Sequence, residues 1–136
     1  MTDPERPPIN LRAGLLALAT FTLLGLVLEV LHGFKLGFYL DVDNETRRLL
    51  WRLAHAHGAL LGLVNVCYAL AVRAWPRLED RLAARALLTA LVLMPLGFLL
   101  GGIFAHAGDP GASVGLAAAG GVALFFGLAK VAWKAH

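Results

Sequence analysis

Charged residues are scarce in this chain of 136 residues: Asp, Glu, Lys and Arg make up only 15% of it, against about a quarter in soluble domains. Apolar residues make up 59%, and the mean hydropathy is +0.71. This composition excludes a disordered chain, which needs low hydrophobicity and high charge, and it argues against a soluble enzyme. The single cysteine, Cys67, excludes a disulfide within these residues and a metal cluster built on cysteines.

The apolar residues form four long blocks separated by charged residues. About 20 helical residues cross a membrane, so we predict an all-α fold: a four-transmembrane-helix bundle with up-down-up-down topology. Residues 1–136 would form a single integral membrane domain. The blocks are apolar on every side, whereas the strands of a membrane β-barrel alternate, which excludes a barrel. The predicted spans are residues 13–32, 49–72, 86–106 and 110–131, with Asp109-Pro110 as the N-cap and first residue of the last helix.

Basic residues predict the orientation. Cytoplasmic loops of membrane proteins carry more Lys and Arg, so we expect the richer side to be cytoplasmic, with both termini in the cytoplasm. The pI of about 9.5 then reflects contact with the lipid bilayer and its headgroups, not with nucleic acid. The eight basic residues of the inner side are Arg6, Arg12, Arg73, Arg77, Arg81, Arg85, Lys130 and Lys134, and the four of the outer side are Lys35, Arg47, Arg48 and Arg52.

Glycines four positions apart occur in three of the spans. Such pairs let helix backbones approach closely in lipid. The same spacing serves packing within one chain, a homo-oligomer or docking onto a larger membrane complex. The pairs are Gly58 with Gly62, Gly97 with Gly101, and Gly111 with Gly115.

The histidines and the one glutamate inside the first three predicted spans lie near one end of each of these spans. Because successive spans run in opposite directions, these side chains are expected at one level near the outer face. Ionisable groups within a membrane are costly and often functional. The residues are Glu29, His32, His55, His57 and His106.

Imidazoles with a carboxylate suit Zn, Cu or Fe. We therefore predict a transition-metal site with His32, His55 and His106 as ligands and Glu29 as a ligand or its partner. Alternatively, His55 and His106 would hold a haem b from both sides, or the cluster would relay protons without a metal. His57 is the reserve ligand, because two residues of helix turn its side chain about 200° away from that of His55.

Two blocks, AHAHG at residues 54–58 and AHAGDPG at 105–111, resemble those of small bacterial four-span membrane proteins. The resemblance implies this fold and a location in the bacterial inner (cytoplasmic) membrane, but no particular activity. Ala56, His57, Gly58 and Asn65 resemble more faintly the pattern of hydroxylaminobenzene mutases, which are also small four-span proteins. The acidic residue that adjoins the glycine in that family has no counterpart here.

Two functional hypotheses follow. The first is a membrane protein that binds a transition metal or haem near its outer face, with a redox or metal-dependent catalytic role. The alternative is a non-enzymatic accessory or oligomerising membrane subunit, in which the His and Glu cluster only stabilises the helix packing.

Overall fold

The computed structural model describes residues 7–41 and 45–136. Within these residues the chain forms four long helices, which confirms the predicted all-α bundle. A short 3-10 helix, Pro76–Leu78, lies between the second and third of them. The long helices are α1 (Ile9–Gly33), α2 (Glu45–Ala74), α3 (Arg81–Phe104) and α4 (Val114–Ala135).

All four helices are long and apolar enough to cross a membrane, and the chain is a multi-pass membrane protein. Its outer surface agrees with this, since large apolar side chains such as Leu16, Leu23 and Phe125 are exposed. So much exposed apolar surface would drive aggregation in water, whereas in a bilayer it contacts lipid. Trp75 and Trp133 are exposed at the helix ends, as expected of aromatic residues at a membrane interface.

The helices extend beyond the apolar blocks at their charged ends. α2 begins at Glu45, and α3 begins at Arg81, because the arginines that flank the apolar residues are good helix formers. The N-cap prediction for α4 was wrong, since that helix begins at Val114. Asp109 instead closes a turn, in which its Oδ1 accepts a hydrogen bond from the amide of Gly111 at 2.8 Å.

Consecutive helices pack antiparallel, which gives the predicted up-down-up-down topology. α1 lies on α2, α2 on α3, and α3 on α4, while α1 meets α3 only marginally. Among the described long helices, α4 packs on α3 alone, so the first and last helices form open edges. We call the end with the α1–α2 and α3–α4 loops the distal end, and the end with Ile9 and Ala135 the terminal end.

Glycines bring the helix backbones together at two crossings. A Cβ on Gly14 of α1 would lie 2.6 Å from the carbonyl oxygen of Gly62 in α2, and one on Gly120 of α4 would lie 2.7 Å from the amide nitrogen of Met94 in α3. Real side chains cannot occupy these positions unless the backbones separate. By contrast, a Cβ on Gly115 would have no neighbour within 4 Å, so this glycine takes no part in packing among the described residues.

A buried amide network joins α1, α2 and α3 near the terminal end. Asn65 is fully buried, and its Oδ1 accepts a hydrogen bond from Nδ2 of Asn10 at 2.8 Å. Nδ2 of Asn65 donates to the carbonyl oxygens of Leu61 at 2.9 Å and Leu87 at 3.2 Å, while Asn10 also donates to Ala84 at 3.1 Å. Asn65 of α2 is therefore bonded to both neighbouring helices, and such bonds hold helices together in lipid.

Gly120→Ala is expected to lower the free energy of unfolding by about 1–3 kcal/mol, because the new methyl group overlaps the α3 backbone. The matched control is Gly115→Ala in the same helix, where there is open space. It should leave stability unchanged or raise it by up to about 1 kcal/mol, as Ala favours helix over Gly. Unfolding in mixed detergent and SDS micelles measures both, and equal effects would contradict the α3–α4 crossing.

Candidate functional site

α1 and α2 contact each other at regular intervals along the groove between them, up to the distal end. Gly14 lies against Gly62, and one contact further out the ring of Phe21 lies over Gly58. Next, the ring of His55 covers Gly25, where a Cβ would be 2.8 Å from Nδ1. Residues nearer the C-terminus of α1 thus contact residues nearer the N-terminus of α2, as in any antiparallel pair of helices.

At the distal end this groove opens into a pocket of about 310 Å³, which we call the distal pocket. Glu29 and His32 lie on its α1 side, one turn apart, and Arg48 and Arg52 lie on its α2 side, also one turn apart. Leu28 and Tyr39 are the buried parts of its lining, with only 6% and 3% of their surface exposed. The complete lining is Leu28, Glu29, His32, Tyr39, Arg48 and Arg52.

Aromatic stacking holds the α1–α2 loop over the pocket. The ring of Tyr39 stacks on Trp51 with centroids 6.2 Å apart and planes 15° apart, and the ring of His32 lies edge-on to it at 6.4 Å. Trp51 is itself attached to α3, since its Nε1 donates to the carbonyl oxygen of Leu99 at 3.2 Å. Tyr39 is buried inside this stack.

Arg47 attaches the same loop to the end of α3. Its Nε donates to the carbonyl oxygen of Gly102 and its Nη1 to that of Phe38, both at 3.2 Å. The last carbonyls of a helix lack partners within the helix, and a cation is favourable there. Arg47 therefore caps α3 and positions the loop, while the next arginine, Arg48, lines the pocket.

The charges of the distal pocket are of both signs. Arg48 is partly neutralised at the rim by Glu45, at 3.2 Å. Among the described residues, Glu29 and Arg52 form no ion pair with one another or with any other side chain. The pocket is thus lined by two guanidinium groups and one carboxylate. Of these three groups, only Arg48 forms an ion pair with a described residue.

His55 and His57 point to different helices, as their spacing predicted. Nδ1 of His55 donates to the carbonyl oxygen of Phe21 in α1 at 2.6 Å. Nδ1 of His57 donates to Leu53 of its own helix at 2.9 Å, and its ring packs on Phe98 of α3 at 4.9 Å between centroids. A carbonyl oxygen only accepts, so both rings carry their proton on Nδ1 and direct Nε2 elsewhere.

The five predicted ligands therefore share one end of the bundle but not one site. Glu29 and His32 line the distal pocket, His55 lies deeper between α1 and α2, and His57 faces α3. His106 is exposed in the α3–α4 loop, where its backbone pairs with Asp109. No three His, Cys, Asp or Glu side chains of the described residues stand close enough to hold one metal ion, so the shared metal or haem site stays a prediction.

Their charge by itself predicts only that Arg48 and Arg52 lie on the outer side of the membrane. Their spacing contained more information, because residues 48, 52, 55, 59 and 62 fall on one helical face, the face that carries His55 and Gly62. That face packs on α1 here. The helical pattern could thus have placed the two arginines on one face with His55 and Gly62, whereas the tertiary structure decided that this face packs on α1 beside Glu29.

A second polar cluster, at the terminal end, surrounds Asp80 just before α3. Its Oδ1 accepts hydrogen bonds from the amides of Leu82 and Ala83, both at 2.9 Å, so it is the N-cap. Its Oδ2 pairs with Lys130 at 3.3 Å and Lys134 at 3.5 Å. The bond from Ala83, followed by the two lysines, holds the pKa of Asp80 below its ordinary 3.8, although partial burial opposes this.

No known family model matches the chain, and neither a curated protein nor a solved structure matches it.

The Asp80 cluster makes stability depend on pH. The folded-state pKa is lowered, so the carboxylate stabilises the fold fully above the unfolded-state value near 4, and this contribution is lost as the pH falls through the folded-state value. The thermal unfolding midpoint in detergent should therefore decrease when the pH is lowered below about 4. Asp80→Asn keeps an N-cap but loses both lysine pairs, so its midpoint should be lower at pH 7 and change less with acid. An unchanged acid response in Asp80→Asn would contradict this role.

Proposed function

We propose that this multi-pass membrane protein binds a phosphate-bearing ligand in the distal pocket. The observation that carries the proposal is that Arg48 and Arg52, one helical turn apart, line one pocket together. Guanidinium groups form paired, charge-assisted hydrogen bonds with phosphate oxygens. Two of them on one helix face offer donors to more than one oxygen of the same phosphate.

The charge balance of the pocket favours an anion. Two guanidinium groups and one carboxylate line it. Glu45 at the rim pairs with Arg48, but Arg52 has no ion pair among the described residues, so a phosphate gains attraction there that a bare metal cation would lack. The pocket also lies where α1 and α2 leave the apolar part of the membrane, and charges interact more strongly beside a medium of low dielectric constant. Lipid phosphate groups occupy the same level of a bilayer.

The proposed orientation directs the distal pocket away from the cytoplasm. Of the described basic residues, those of the terminal end outnumber those of the distal end, and the richer side of bacterial inner-membrane proteins is cytoplasmic. Arg6, which adds to the same side, lies outside the described residues. Both termini would then be cytoplasmic, and the ligand would come from the outer leaflet or from the space beyond it.

A second candidate function is the binding of a transition metal or haem through His55. It is favoured by one observation, the hydrogen bond from Nδ1 of His55 to the carbonyl oxygen of Phe21. Metal-ligating histidines usually donate their other ring N–H in this way, which orients the ring and leaves Nε2 as the ligand.

Arg52→Ala is expected to raise the Kd for a phosphate ligand roughly tenfold or more, because a charge-assisted hydrogen bond contributes about 1.5–3 kcal/mol. The ligands are short-chain phosphatidylglycerol, a lipid probe, and free glycerol phosphate, titrated into the purified protein in detergent. Their comparison separates a lipid source from a soluble one.

The matched control is Lys35→Ala, which removes an exposed cation of the α1–α2 loop that does not line the pocket. Its Kd should stay within about twofold of the unsubstituted protein if binding is not general charge attraction. Equal weakening in both variants, or no binding by the unsubstituted protein, would contradict the proposed function.

The second candidate is tested by the absorption spectrum and the metal content per chain of the purified protein. A haem predicts a Soret band, and a metal predicts a stoichiometric content, either of which His55→Ala should abolish. Content unchanged in both His55→Ala and His106→Ala, or protein without metal or Soret band, would contradict this candidate.

A further inference from the structure

The carboxylate of Glu29 limits which phosphate ligands the distal pocket accepts. It lines the same pocket as the two arginines, and no ion pair among the described residues neutralises it. A purely anionic ligand would bring its negative charge close to this carboxylate and be repelled by it. A ligand that also carries a positive group would be attracted at both of its ends.

We propose that the distal pocket selects a zwitterionic ligand, with a phosphate bound by Arg48 and Arg52 and a primary ammonium group bound by Glu29. This inference rests on the proposed function and names its ligand class, the phosphoethanolamine group. That group occurs both as a lipid headgroup, in phosphatidylethanolamine, and as a free soluble compound.

The arrangement of charges matches this ligand along the groove. Opposite charges lie on opposite helices, with the acid on α1 and the guanidinium groups on α2, so the ligand bridges the two helices. The pocket of about 310 Å³ is at the lower end of the volumes typical of small-ligand sites, which suits a headgroup and not a large molecule. Leu28 and Tyr39 form the buried part of its lining.

The aromatic residues favour a primary ammonium over a trimethylammonium group. Recognition of quaternary ammonium uses open aromatic faces that surround the cation. Tyr39 has one face stacked on Trp51, and His32 meets it edge-on, so these rings do not form an open cage. A primary ammonium instead offers three N–H donors, for which the carboxylate of Glu29 is the matching acceptor.

The test compares headgroups on the full-length purified protein in detergent. The probes are dihexanoyl phosphatidylethanolamine, dihexanoyl phosphatidylglycerol, dihexanoyl phosphatidylcholine and free phosphoethanolamine. The unsubstituted protein should bind the ethanolamine lipid about tenfold more tightly than the glycerol and choline lipids. Free phosphoethanolamine bound as tightly as the lipid identifies a soluble ligand, and much weaker binding identifies the headgroup. Either result supports the zwitterion.

Glu29→Gln should abolish this preference: the Kd for the ethanolamine lipid rises about tenfold, while that for the glycerol lipid stays the same or falls. The control is Glu45→Gln, which removes a carboxylate of the rim that pairs with Arg48 and should leave the preference intact. The thermal unfolding midpoint of each variant confirms that it is folded.

Different results would overturn the phosphate site and its preference for a zwitterionic ligand. If the unsubstituted protein binds the ethanolamine and glycerol lipids equally, and Arg52→Ala weakens both, the phosphate site stands and the zwitterion inference is overturned. If no phosphate probe binds, or Arg52→Ala has no effect, the proposed function itself is overturned. If Glu29→Gln still prefers the ethanolamine lipid, another group binds the ammonium, and this result would also overturn the inference.

Discussion

The close approach of α1 and α2 at Gly14 and Gly62 fixes how these two helices lie against one another up to the distal end. With no side chain between them, the two backbones meet directly, and van der Waals packing of this kind drives helix association in lipid. From that crossing the register continues through the His55–Gly25 contact to the distal pocket. The pocket therefore depends on two glycines that lie far from it.

Polar side chains within the spans are used mainly to bind neighbouring backbone. Asn65 is held by an amide and two carbonyl groups, and His55 and His57 each donate to a carbonyl oxygen. In hydrocarbon an unsatisfied polar group is expensive, so these bonds explain why such residues are tolerated there. They also leave the charged residues at the helix ends as the better candidates for ligand binding.

The two ends of the molecule use charge in different ways. At the terminal end Asp80 caps α3 and binds two lysines of α4. Both of its carboxylate oxygens therefore have partners, and these contacts join α3 to α4. At the distal end Glu29 and Arg52 lie in one pocket without an ion pair among the described residues. Charged groups that are paired with one another stabilise the fold, whereas unpaired charged groups in a pocket are available to bind a ligand.

The sequence by itself determined the helices and the level of each residue along the membrane normal. Four apolar blocks predict four antiparallel spans, and the rise per residue then places Glu29 and the histidines near one end. Helical periodicity also determined that His55 and His57 diverge. Only the tertiary structure decided which of these side chains share a groove, because that depends on which helices become neighbours. α1 packs on α2 and barely meets α3, so Glu29 faces Arg48 and Arg52, while His57 and His106 lie elsewhere at the same end. Neighbour choice results from backbone contacts between residues distant in the chain, such as Gly14 with Gly62, and no local pattern encodes those contacts.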